Sequence, residues 1–146
     1  MESSKDMSSA KIVPFNKTYS PLIKEIRTQV FVYEQKVDAD LDFDGQDNDA
    51  IHVLIFYQKK PIGTARMLDD GHIGRVAVLK SHRKKGAGSL ALTTLIEEAK
   101  RRKIHRVYLG SQISAVGFYE KLGFIAHSEE FMEAGIRHIN MALSLD

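Results

Sequence analysis

The sequence contains no cysteine, which removes disulfides, thiolate metal sites and every covalent route through a cysteine nucleophile. Nor does any apolar run approach the roughly 18 residues that a membrane-spanning helix needs. Met1–Lys11 lacks the apolar centre of a secretory signal, so a cytoplasmic location is expected. The six histidines form neither an HExxH pattern nor a paired spacing, which leaves no readable metal site. Internal repeats are missing as well, and so are low-complexity tracts beyond a Ser-rich start. What remains is 146 residues, 43% hydrophobic and 27% charged, the composition of one globular domain. A net charge of +2 conceals an acidic stretch at Asp38–Asp49 and basic clusters at His82–Lys85 and Lys100–Lys103.

Residues 1–10 are polar and aperiodic and read as a flexible leader, with a single domain over 11–146. A first strand is expected to start at Ile12. Ser20 as N-cap, Pro21 in the first turn and the recurrence of Leu22, Ile23, Ile26, Val30 and Phe31 predict a helix over 20–33. Asp38–Asp49 carries turn formers without a period and reads as loop, whereas the β-branched and aromatic run Ala50–Tyr57 reads as strand. Pro61–Leu68 and His72–Leu79 flank a tight turn at Asp69–Gly71 and complete an antiparallel meander. Beyond Gly86–Gly88, the apolar stripe Leu92, Leu95, Ile96 and Ala99 predicts a second helix. Arg106–Leu109 then reads as a strand, Ser114–Leu122 as a helix, and Phe124–Ala126 and Arg137–Leu143 as the last strands. This order describes an α/β sandwich on a mixed sheet, not a doubly wound nucleotide fold.

The most informative segment is Val76–Gly88, where an apolar strand runs into three cations, two glycines and a helix. A helix N-terminus already carries about half a positive charge, so Arg83, Lys84 and Lys85 beside it are unfavourable unless an anion sits there. Gly86 and Gly88 let the backbone come close and turn free N–H groups inward, which suits a diphosphate. A solvated basic loop with a glycine hinge is the plain alternative. No GxxxxGK motif is present and the third glycine of the dinucleotide fingerprint is absent, so nucleotide hydrolysis loses ground.

Arg83–Gly88 (RKKGAG) resembles the Q/R-x-x-G-x-G/A segment of the GNAT superfamily of acyl-CoA-dependent N-acyltransferases, and Ala115–Phe124 (AVGFYEKLGF) resembles its second signature. Val30–Gln35 (VFVYEQ), Glu130–Phe131 and Gly135–Ile139 are similar to the ElaA-like branch, and the likeness covers about residues 11–145. It implies an α/β fold with a mixed, mostly antiparallel central sheet flanked by helices and splayed at the acyl-CoA site. It implies N-acetyltransferase activity with acetyl-CoA as cosubstrate. By the same resemblance Val76, Ala77 and Val78 pair with the pantetheine amides, and the backbone of Arg83, Lys84, Lys85, Gly86, Ala87 and Gly88 holds the diphosphate. Tyr119 takes the position of the general acid facing the departing sulfur, and Gln112 stands where many members have a coenzyme-contacting asparagine. With no cysteine to carry an acyl group, direct attack by the amine in a ternary complex is the consistent mechanism.

A protonated amine cannot attack, so a base is needed and carboxylates are the candidates. Glu34 and Asp47 are the candidate bases or amine holders, and Asp44 and His52 fall at the acidic and histidine positions of the ElaA-like branch as candidate acceptor contacts. The acidic loop is expected to attract a cationic acceptor. Asp40, Asp42, Asp44, Gly45 and Asn48 also imitate the opening of a calcium loop, but Ile51 stands where the bidentate glutamate belongs. Arg66 and Arg75, on adjacent strands, offer a structural outlet for these carboxylates instead. The expected partner is a small-molecule or peptide amine. Nucleic acid is disfavoured because Lys100–Lys103 lacks interleaved aromatics, and a homodimer through the last strands stays open. The competing readings are a catalytically inactive acyl-CoA sensor or nucleic-acid-binding module on the same fold, and a longer-chain acyl donor.

Overall fold

Strand β2 (Ile51–Tyr57) is apolar at almost every position because both of its faces are covered, and the architecture follows from that. The computed structural model describes residues 8–146. On one side, Ile51, Val53 and Ile55 of β2 pack with the stripe Ala91, Leu92, Leu95, Ile96 and Ala99 of helix α3 (Ala87–Arg101). On the other, Leu54 meets Ile23 and Ile26 of helix α1 (Ser20–Arg27). Leu92 and Leu95 are wholly buried, each worth about 1.5–3 kcal/mol relative to exposure. The stripe that the sequence spacing predicts is therefore the one that holds α3 to the sheet.

Strand β1 (Ser8–Val13), β2, β3 (Lys60–Met67) and β4 (Ile73–Val78) form one antiparallel sheet in sequence order. A second antiparallel group joins β5 (Arg106–Gln112) to β8 (Ile136–Ser144), with β6 (Ile125–Ala126) and β7 (Phe131–Glu133) also paired to β8. The two groups touch through a single parallel bridge, His72 with Tyr108, where the Tyr108 N–H donates to the Gly71 carbonyl at 3.0 Å. Beyond that bridge β4 and β5 form no ladder among the described residues, so the sheet is splayed there. The mixed, mostly antiparallel, helix-flanked α/β architecture is the one expected.

Five details differ from the sequence reading. Ser8–Ala10 belong to β1 rather than to a leader, while Met1–Met7 of the expected leader lie outside the described residues. The first helix changes at Thr28 to π winding over Thr28–Glu34, marked by the Gln35 N–H on the Val30 carbonyl at 3.0 Å. Its N-cap is Tyr19 rather than Ser20 and has no side-chain cap bond; the chain enters it through a turn in which the Asn16 side chain accepts from the Thr18 and Tyr19 N–H groups. Within the acidic loop Ala39–Asp42 makes one helical turn, α2, with the Asp38 carboxylate accepting from the Asp40 N–H. Strand β7 was not expected; it is three residues long, too short for a period to show. Helix α4 (Val116–Lys121) falls within the expected span. Among the described residues no helix is long and apolar enough to cross a membrane.

The bridge at the foot of the splay depends on one glycine. Gly71 has φ +96°, and a Cβ there would sit 2.3 Å from the Arg106 carbonyl oxygen. Gly71→Ala is expected to destabilise the fold by at least about 2 kcal/mol, since backbone strain and a backbone clash act together. Gly86→Ala, at φ +88° in open space, is expected to cost only the conformational term of about 1–2 kcal/mol. Chemical denaturation of the two variants checks this, and equal losses would show that the close approach at Gly71 does not matter.

Candidate active site

A cavity of about 1130 Å³ occupies the gap between β4 and β5. Its β4 wall is irregular. Thr64 of β3 faces Ala77 and Arg66 faces Gly74, so Ala65 alone opposes both Arg75 and Val76. This is a β-bulge, with Arg75 at φ +52°, and it releases backbone groups of β4 from the β3 ladder. The edge of Val76, Ala77 and Val78 that faces away from β3 lines the cavity and meets no β5 ladder. It is a strand edge open to an added extended chain.

After β4 the chain turns through Lys80–His82 into α3, whose N-cap is Gly86 in the left-handed conformation with no side-chain cap. The first intrahelical bond is the Leu90 N–H to the Gly86 carbonyl, so the N–H groups of Ala87, Gly88 and Ser89 head the helix with their dipoles outward. Of the expected coenzyme positions Arg83, Lys84, Gly86, Ala87 and Gly88 line the cavity, and Lys85 does not. Two side chains have other work. The Arg83 guanidinium donates through Nε to the Val78 carbonyl at 2.9 Å and grips Glu34 with two bonds of 2.5 and 2.6 Å. Gly88 packs closely on α4: a Cβ there would lie 3.3 Å from the Phe118 ring, which would have to give by a few tenths of an ångström.

Tyr119, on α4, lines the same cavity while 8% exposed, ringed by Phe118 and Phe124 in edge contacts. Burial pushes its phenol up to about 12. Gln112, at the end of β5, also lines the cavity, but its amide donates to Gln35 Oε1 at 2.9 Å. That bond ties the end of β5 to the segment after the π turn. The wide winding places Val30 and Phe31 on the cavity wall together with Gln35.

Of the expected acceptor-side residues, Glu34 lies outside this cavity, and the Arg83 hydrogen bond holds its carboxyl below the usual range while tying it to the basic turn. Asp47 is buried; burial alone would raise its pKa, but hydrogen bonds and charge from Arg27 and Arg66 hold it low. His52 is fully buried, stacks on Phe15 and donates through Nε2 to the Asp47 carbonyl at 2.9 Å. Burial pushes its pKa down, and neither Asp47 nor His52 reaches the cavity. Asp44 does reach it, yet both of its oxygens are taken by Arg66 at 2.9 and 3.0 Å, with Arg75 on one of them at 3.1 Å. Its negative charge is thereby neutralised, and the calcium reading falls with it because Asp42 likewise serves Arg27 and Arg75.

Other groups line the same cavity: His72 at the bridge, Glu133 on β7, and His138 and Asn140 on β8. The His72 ring stacks on Tyr108 at 4.7 Å, and the Tyr108 hydroxyl donates to Asp70. Surrounding protein atoms lower the His72 pKa; Asp70 and Glu133 pull it up, Arg66 and Arg75 push it down, and the net direction is down. The Glu133 carboxylate has no ion pair among the described residues. The sequence held one usable signal for these groups, a histidine next to the turn that starts β4; strands as short as β7 held none.

The profile of the acetyltransferase (GNAT) domain family matches residues 5–145. The uncharacterized N-acetyltransferase YjcF of Bacillus subtilis is 38% identical over 120 residues, covering 80% of this chain and 86% of that one. Protein ElaA of Escherichia coli is 34% identical over 126 residues, covering 81% and 82%. The crystal structure of ElaA superposes with a TM-score of 0.82 at 30% identity, over 93% of this chain and 99% of that one. An acyl-CoA N-acyltransferase from Pseudomonas aeruginosa superposes with a TM-score of 0.81 at 28% identity, over 92% and 97%. The residues present fit an acyl-CoA cosubstrate, since an open strand edge and an uncapped helix N-terminus lie along one cavity. This chain belongs to the GNAT family and is an acyl-CoA-dependent acetyltransferase.

Proposed function

We propose that the protein transfers an acetyl group from acetyl-CoA to a primary amine, the amine attacking directly while both substrates are bound. The observation that carries this reading is the parting of β4 from β5 beside the uncapped start of α3. Val76–Val78 would hold the pantetheine amides by their backbone groups, and the N–H groups of Gly86–Ser89 the diphosphate. When bound, the thioester supplies the acetyl group and departs as a thiolate. The chain must therefore remove a proton from the amine and favour negative charge on sulfur.

His72 suits the first task. It lines the cavity and its lowered pKa keeps the imidazole neutral at neutral pH, able to accept the ammonium proton. Glu133, across the same space, supplies the charge that would hold the ammonium before it is deprotonated. Tyr119 suits the second task. A phenol pushed up to about 12 keeps its proton at every working pH. Full transfer to a thiolate of about 8.5 would be uphill by about 5 kcal/mol, so Tyr119 is proposed to donate a hydrogen bond to the sulfur instead of protonating it outright.

A screen of primary amines for acetyl-CoA-dependent thiol release tests the reaction. Turnover with at least one amine is expected; saturable acetyl-CoA binding without thiol release for any amine would make the protein a sensor. Tyr119→Phe is expected to lower kcat about 100-fold with little change in acetyl-CoA KM. An unchanged kcat removes the sulfur assignment. For wild type, kcat should fall as pH drops through a value below about 6.5, where the imidazole becomes protonated. His72→Gln should lower kcat about 100-fold and abolish that acid limb, and a retained limb would move the base elsewhere.

A further inference from the structure

We infer that Arg75 is a positioning residue: clamped by Asp42 and Asp44 of the acidic loop, its guanidinium locks the bulge of β4 into the shape that receives the acyl-CoA arm. The inference rests on the proposed acyl-CoA site and concerns how that site keeps its form.

Arg75 sits at φ +52°, a conformation costly for any residue with a Cβ. Glycine would adopt it freely, and the neighbouring position, Gly74, is glycine in an ordinary conformation with open space around it. An arginine at the strained position needs a reason that lies in its side chain. That side chain is held on several sides. Its Nε donates to the Asp42 carbonyl at 3.1 Å and lies 3.2 Å from Asp42 Oδ1, and its Nη2 bonds Asp44 Oδ2 at 3.1 Å.

The two aspartates are held in turn by arginines of other elements, α1 and β3. Asp42 is 3% exposed and accepts from Arg27 of α1, a guanidinium with no exposure, which also bonds Asp47 at 2.7 Å. Asp44 is forked by Arg66 of β3, the residue that pairs with Gly74 immediately before the bulge. The clamp thus runs from α1 and from β3 through the acidic loop to the bulge residue of β4 that has positive φ. Asp42, Asp44 and Arg75 all border the cavity, so the clamp ends at the site itself.

Arg75→Gly separates the side chain from the backbone, because it removes the guanidinium while relieving the strain. Binding of acetyl-CoA and of the coenzyme's nucleotide half without its pantetheine arm is measured by calorimetry, together with Tm. The expected result is an acetyl-CoA Kd raised about tenfold, an unchanged Kd for the nucleotide half, which contacts the turn before α3, and a Tm within a few degrees of wild type. Asp44→Asn should raise the acetyl-CoA Kd in the same direction, and the double variant should bind no worse than Arg75→Gly alone, as expected for residues acting through one contact. An unchanged acetyl-CoA Kd in Arg75→Gly, or equal weakening of both ligands, overturns the inference. If Arg75→Gly does not fold, Asp44→Asn decides by the same criteria. Failure of wild type to bind acetyl-CoA would overturn the functional reading itself, whereas wild-type binding with unaffected variants overturns only the clamp.

Discussion

Strands β4 and β5 are parallel neighbours that share one bridge and then separate, and everything distinctive about the molecule depends on that separation. A sheet left open in its middle exposes two rows of backbone donors and acceptors, normally a liability. It persists here because each strand is held on its other side. β3 pairs with β4 at Ile73, Gly74, Ala77 and Val78 on either side of the bulge, and β8 pairs with β5 from Arg106 to Gln112. Gly71 sets where the two halves touch, since only a residue without Cβ lets the Arg106 carbonyl come so near. Above that point the gap widens into a cavity with a helix N-terminus at one side. What the gap presents is mostly main chain: the free edge of Val76–Val78 and the uncapped start of α3.

A second constraint is the balance of charge beneath the cavity. Arg27, Arg66 and Arg75 meet Asp42, Asp44 and Asp47, equal in number and sign-matched, and four of the six are nearly removed from solvent. Removing one partner of a fully buried pair such as Arg27–Asp42 commonly costs about 3–5 kcal/mol, because the other is left buried and short of a partner; Arg75 is more exposed, and its two aspartates keep Arg27 and Arg66. Two atoms nearby stay unpartnered, His52 Nδ1 and Arg66 Nε. The imidazole at 52 is kept neutral by that burial, and its single donated bond goes to backbone. An acidic loop that looks in sequence like a lure for cations is spent internally on guanidiniums.

The legibility of the sequence divides along the same line. Elements that depend on local periodicity were readable: the α3 stripe, the β2–β4 meander, and the turn whose glycines precede α3. The turn from Val76 to Gly88 was readable as a unit too, because it is continuous in sequence and carries its own punctuation. The other walls of the cavity come from β3, β4, β7, β8 and the acidic loop, so no stretch of chain contains them. Glu34, Asp47 and His52 lie outside that cavity. The feature that decides each case is a long-range partner, Arg83 for Glu34 across 49 residues and Arg27 for Asp47 across 20, and composition is blind to both. Arg27 in particular reads as an ordinary basic residue near a helix end, yet it is the most deeply buried charge in the fold.

The same dependence on environment separates the two proton-handling groups of the proposed reaction. An ordinary imidazole and an ordinary phenol differ by about 3.5 pKa units. Here the partial desolvation of His72 pushes it down while the aromatic enclosure of Tyr119 pushes it up to about 12, which widens the difference from both ends. Both shifts have one cause, burial, acting on groups whose charged forms have opposite sign. A protonated imidazole is disfavoured and so is a phenolate. The cavity thus keeps both groups neutral over a broad pH range, one as acceptor and one as donor, without any charged partner bonded to either ring. On the proposed reading the acceptor nitrogen approaches from the His72 end and the sulfur lies toward Tyr119, so the two neutral groups serve opposite ends of one cavity.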